Sequence, residues 1–227
     1  MKKAVLLAMV LVAGLALAKS FDTGYEPEGL DGLTKQKGVF KTTRINPDTD
    51  FSHYTKYLQR EVILVVRDPG TQRIQSTGSL IGRRSNESIM PEYEELIEFK
   101  QIVLTALSSE MARSSGLEMV NDLGPNTLVV QPVVTDVVFT SSSKNKSEDG
   151  REFPELSHGT IVFDLIDGET GLIQGRMGER RRCDAPKDAE PTSGAWPNLA
   201  YWAESAASDF CQELRRIEGP TAGSEAD

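Results

Sequence analysis

Two histidines and two cysteines in 227 residues leave little material for metal or nucleophile chemistry. A zinc site needs a closed set of nitrogen and sulfur ligands, and His53 and His158 lie far apart in sequence with no such set around either. Calcium needs clustered oxygen ligands at regular spacing, which neither Asp48-Thr49-Asp50 nor the stretch from Asp164 to Glu169 supplies. Gly78-Ser79-Leu80-Ile81-Gly82 has no lysine and no strand-to-helix setting, so it is not a phosphate loop. Ser141-Ser142-Ser143 sits in a polar stretch, whereas a catalytic serine needs a fixed base and an oxyanion pocket. No catalytic residue, metal or cofactor is therefore expected.

Positive charge is also in deficit. The formal net charge is -9, and a body of that sign is a poor partner for nucleic acid, whose binding rests on neutralising phosphate. It is equally poor at docking by charge on an anionic lipid surface. Long apolar runs are missing too, apart from Ala4 to Ala18. That segment follows Met1-Lys2-Lys3, ends in Ala16-Leu17-Ala18 and is short for a span of about 20 residues, so residues 1–18 read as a signal peptide. No cysteine directly follows it, which argues against lipid attachment. The expected product is a periplasmic or secreted protein with no stable transmembrane anchor once the leader is gone.

What the chain does contain is a pattern for one α+β domain: a mostly antiparallel sheet with two helices packed on one face. Residues 19–50 are rich in glycine, charge and turn formers and read as an extended N-terminal arm. Residues 51–217 form the domain and 218–227 a polar tail. Val62-Ile63-Leu64-Val65-Val66 is a continuous apolar run suited to an interior strand, and 71–81 is a weaker second arm. Pro91 to Glu95 opens a helix with acids in its first turn, and Leu96, Val103, Leu104, Leu107 and Met111 give it one apolar stripe, up to a stop at Ser114-Ser115-Gly116. Leu117 to Val120 is a short edge strand. Thr127 to Thr140 is a strand in which Pro132 demands a bulge, an edge or a break, because proline cannot donate to a ladder. Residues 141–152 read as a polar, mobile loop. Trp196-Pro197 introduces a last helix with Leu199, Trp202, Ala203, Ala206, Phe210, Leu214 and Ile217 along one face.

The centre of the pattern is a hairpin with arms Thr160 to Ile166 and Leu172 to Arg182, joined by Asp167-Gly168-Glu169-Thr170-Gly171. One side of this ribbon carries Ile161, Phe163, Leu165, Ile173 and Met177. The other carries Thr160, Val162, Asp164, Gln174, Arg176 and Arg180, and is expected to be wet or partly wet. Two acids interrupt the β-rich runs, Asp136 and Asp164. With Arg176 and Arg180, and with His158 nearby, they are the candidate ligand-binding residues for a small anion. The competing reading of Asp164 and Arg176 is a cross-strand ion pair. Cys183 and Cys211 would favour a disulfide in an oxidising compartment if they lie within bridging reach. Otherwise Cys211 is a buried small hydrophobe and Cys183 a solvent-side thiol.

From Val62 to Leu214 the chain resembles a family of uncharacterised Gram-negative envelope proteins, often lipoproteins, classed as a domain of unknown function. The resemblance is carried by the order of several motifs: the helix end at Leu107 to Gly116, Gly124-Pro125 before Leu128-Val129-Val130, Val134-Thr135-Asp136, Asp167 with Thr170-Gly171, and Trp196 followed by Tyr201-Trp202-Ala203. It implies an envelope protein with a compact α+β domain and transfers no catalytic residue. The functional expectation is a non-enzymatic exported envelope protein that binds another protein or an envelope component through the uncovered sheet face, a strand edge or the arms. The alternative is a small anionic-ligand binder or cryptic hydrolase.

Overall fold

A computed structural model describes residues 32–66, 90–146, 150, 152–184, 196 and 198–218. It is an α+β fold with an eight-stranded, mostly antiparallel sheet and two helices. The strands are β1 (Thr34–Gln36), β2 (Thr42–Ile45), β3 (Lys56–Gln59), β4 (Ile63–Val66), β5 (Glu118–Met119), β6 (Thr127–Lys146), β7 (Glu152–Asp167) and β8 (Ile173–Arg182), and the helices are α1 (Tyr93–Ser114) and α2 (Leu199–Glu218). Their order across the sheet is β1-β2-β8-β7-β6-β3-β5, with β4 also lying along β6. The β1/β2, β2/β8, β8/β7 and β7/β6 pairings are antiparallel, while β3 and β4 run parallel to β6.

The central hairpin forms, and its register is offset by one residue from a pairing that would simply close the 167–171 turn. Ile166 pairs with Ile173 rather than with Leu172, and an irregularity then brings Leu165 opposite Gly175, Asp164 opposite Arg176 and Phe163 opposite Met177. Ile161, Phe163, Leu165 and Met177 are buried on the face that the helices cover. A Cβ at Gly175 would come within 2.9 Å of Ile45 and 3.2 Å of Leu165, so β2 lies tight against this strand. The turn is tied by Asp167, whose Oδ1 accepts from the backbone N–H groups of Glu169 and Thr170 and from the Thr170 hydroxyl. That is the local bonding for which aspartate is favoured in turns.

Three segments depart from the sequence reading. Within the expected extended arm, residues 34–45 include two strands that the sequence reading did not have, β1 and β2, which extend the sheet, and Leu33 and Phe40 are buried. The apolar run at 62–66 forms β4, which among the described residues pairs only with β6, and Ile63 is 47 % exposed. Among the described residues it is therefore an outer strand, where an interior one was expected. Residues 141–146 and 152 are strand where a mobile loop was expected, so β6 and β7 form a long hairpin. The expected arm at 71–81 lies outside the described residues.

Pro132 has a simple resolution. Val130 accepts from the Arg60 N–H, so its polar groups face β3, and by alternation the nitrogen of residue 132 points the same way. β3 ends opposite Val130 and β4 begins opposite Val133, so no ladder bond is lost in the gap between them. The bulge falls instead at Asp136, which has φ +52° and lies where the β6/β7 register shifts between Thr135 and Val138. An aspartate tolerates this left-handed conformation better than most residues do.

α1 starts with a reciprocal capping box, Glu92 with Glu95, which satisfies amide groups left open at a helix start. Phe99, Val103, Leu107 and Met111 are buried along it. α2 buries Trp202, Ala203, Ala206, Phe210 and Leu214. The Phe210 and Phe163 rings lie 4.4 Å apart, and Phe99 packs on Phe139 at 6.1 Å. Both helices therefore cover the same side of the sheet. They run in the same direction, since Trp196 donates to the Glu95 carbonyl near their starts and Cys211 meets Met111 near their ends.

Candidate functional site

The four sequence candidates divide into two groups. Asp164 and Arg176 sit directly opposite each other on the sheet face away from the helices, with Arg176 Nε donating to Asp164 Oδ1 at 2.5 Å and Nη2 to Oδ2 at 2.9 Å. Two parallel bonds make this the forked geometry that guanidinium and carboxylate favour. The ladder places Gln131 beside Asp164, and Arg44 then Lys35 beyond Arg176. This face is not wet at its centre: Arg176 is 6 % exposed, and Thr160, Val162 and Gln174 are also buried. Gln174 is held from the segment after β2, by Asn46 Nδ2 at 2.9 Å and by the Thr49 hydroxyl.

Arg180 lies opposite Thr160, four residues along the strand, which is about 13 Å from the ion pair. Its Nη2 donates to His158 Nε2 at 2.5 Å. That bond requires the neutral imidazole protonated on Nδ1. Burial, followed by the charge of Arg180, lowers the His158 pKa, while Asp136 pulls it the other way. Asp136 belongs to this second group through the bulge, so Asp136, His158 and Arg180 are neighbours and Asp164 with Arg176 is a separate pair. The three consecutive arginines split as strand alternation demands. Arg181 alone turns toward the helices, where it pairs with Asp209, bonds Ser205 and lies 5.4 Å over the Phe40 ring.

Cys183 and Cys211 are both unbridged and buried, so Cys183 is not the solvent-side thiol considered above. The Cys211 thiol donates to Met111 Sδ at 3.6 Å. Among the described residues, no three His, Cys, Asp or Glu side chains converge as a metal site would require, and no helix is long and apolar enough to cross a membrane.

A site the sequence did not suggest lies between the helices, on the side away from the sheet. It is a cleft of about 770 Å³ whose lining includes Ala106, Ser109, Ala200, Ser205 and Ser208, with Ile102 and Tyr201. Six of its fourteen lining side chains are Ala, Ser or Thr, which helps two parallel helices leave it open. Glu98 and Glu204 stand on its rim. At its other end Glu110 is taken by Arg113, and Asp209 by Arg181. Tyr201 is 51 % exposed and Ile97, one turn before Gln101 of the lining, is 43 % exposed.

No protein-family model and no curated protein matches this chain. Among solved structures, it is similar to a PelC dodecamer from Paraburkholderia phytofirmans at 10 % identity, covering 76 % of this chain and 96 % of that one, with a TM-score of 0.38. It is also similar to a PDZ domain protein from Parabacteroides distasonis at 12 % identity, covering 74 % and 34 %, with a TM-score of 0.36. A neuraminyllactose-binding hemagglutinin homolog from Helicobacter pylori matches at 10 % identity over 86 % and 91 %, with a TM-score of 0.31. Likenesses this distant carry no inference about activity or partner.

Proposed function

We propose that this chain is an exported, non-enzymatic protein of the Gram-negative cell envelope that binds another protein through the cleft between α1 and α2. The observation that carries the reading is the cleft itself, about 770 Å³ in volume, with the exposed Tyr201 and the partly buried Ile102 in its lining. Apolar and aromatic side chains beside a cleft are the features that binding sites use. Export is supported by the leader pattern in residues 1–18, and the envelope by the family resemblance. The sheet face is a weaker platform than the sequence implied, because its central residues are buried. A small-anion site on Arg176 and Arg180 has less support: Asp164 engages the first through two bonds and His158 engages the second.

The test is site-specific photo-crosslinking in cells that natively make the protein. Tyr201→p-benzoylphenylalanine is compared with the same replacement at Leu172, which is 63 % exposed at the far hairpin turn. A discrete protein adduct from position 201 and none from position 172 is the expected result. No adduct from 201, or the same adducts from both, overturns the reading.

A further inference from the structure

We infer that the occupant of the α1/α2 cleft is a cationic amphipathic helix, a Lys- or Arg-bearing segment of the partner protein. This rests on the cleft being the binding site. The shape argument starts from α1 and α2 running side by side in the same direction. From Glu98 to Arg113 the valley extends along four turns of α1, about 22 Å. Small side chains in its lining, Ala106, Ser109, Ala200 and Ser208, let a third helix settle at the usual interaxial distance of about 8 to 10 Å. Ile102 on one helix and Tyr201 on the other, both in the lining, give the partner apolar surface to cover.

The charge argument selects the sign of the partner. Of the four acids lining the cleft, Glu110 and Asp209 are neutralised by Arg113 and Arg181. Among the described residues Glu98 and Glu204 have no ion-pair partner. The two unpaired carboxylates stand on opposite walls of the end where both helices begin. The other end carries Arg113, 74 % exposed. A helix entering antiparallel to α1 and α2 would bring its C-terminal turns, where Lys and Arg are favoured by the helix dipole, against Glu98 and Glu204. An acidic or neutral helix would leave both carboxylates facing like charge or nothing, so complementarity excludes the wrong class of partner as well as attracting the right one.

The experiment measures fluorescence polarisation of a labelled 18-residue Leu–Lys amphipathic peptide, with a Leu–Glu peptide of the same pattern as comparison. The full chain is tested beside two variants of equal net charge: E98K/E204K at the cleft and E118K/D122K on an exposed segment remote from it. Far-UV circular dichroism of each variant checks folding. The Leu–Lys peptide is expected to bind, to lose about tenfold in affinity to E98K/E204K, and to keep its affinity for E118K/D122K. Binding should weaken as salt is raised. Equal loss in both variants would mean attraction to net charge alone and overturns the inference, as does a preference for the Leu–Glu peptide. If position 201 still crosslinks a discrete protein while the Leu–Lys peptide fails to bind, the cleft stands as the site and the cationic helix falls. If the adduct is a second copy of this chain, the occupant is self-association and the inference falls with it.

Discussion

Asp164 and Arg176, both candidate ligand-binding residues, hold each other in a two-bond ion pair. Each side chain is mostly withdrawn from water, at 14 % and 7 % exposure, and each satisfies the other through two bonds. Removing one partner leaves a buried charge uncompensated, a change that typically costs about 3 to 5 kcal/mol. We expect Asp164→Leu and Arg176→Leu each to destabilise by about that amount in urea unfolding. The double variant should lose at least about 1 kcal/mol less than the sum. Strict additivity would show that the two groups act independently. His158 and Arg180 form a second hydrogen-bonded pair, with Arg180 exposed, in which burial first and the Arg180 charge second lower the His158 pKa.

At the scale of elements, β1 and β2 are fastened to α2 by one side chain. Glu213 is fully buried, accepts from the Val39 N–H at 2.6 Å and from Arg216 at 2.7 Å, and so ties the β1–β2 turn to the helix. A Cβ at Gly38 would overlap both Glu213 Oε1 and Thr43 Oγ1. Gly38→Ala should therefore destabilise by about 1 to 3 kcal/mol as an overpacking change. Gly124→Ala, where an added Cβ meets nothing within 4 Å, should stay within about 0.5 kcal/mol of the parent. Equal midpoints for the two variants in urea would show that the turn does not press on α2. Local pattern predicted both helices well because each carries a stripe of large apolar residues at helical spacing. It missed β1 and β2 because short, polar strands have no such signature, and their stability comes from pairing with β8 and from Glu213.

At the scale of the molecule, the two thiols report on whether the domain opens as a unit. Burial raises the Cys183 thiol to about 12 and the Cys211 thiol to about 11. A buried, protonated thiol is a poor nucleophile. A disulfide reagent at pH 8 should find essentially no reactive cysteine in the native protein and two per chain in denaturant without reductant. Labelling rates should follow the global unfolding rate. Fewer than two thiols in the denatured, unreduced chain would contradict the unbridged arrangement.

The α+β class, both helices and the central hairpin were legible from residue order alone, because helical and strand periodicities are local properties of the chain. So was the choice of Phe163 over Asp164 for the helix-covered side, since side chains alternate along a strand whatever lies around it. Only tertiary structure decided that Asp164 faces Arg176 directly, that Cys183 and Cys211 stay apart, and that the open concave surface lies between the helices. Those outcomes depend on the relative placement of segments far apart in sequence, which is settled by packing across the whole core and leaves no periodic trace in any one of them.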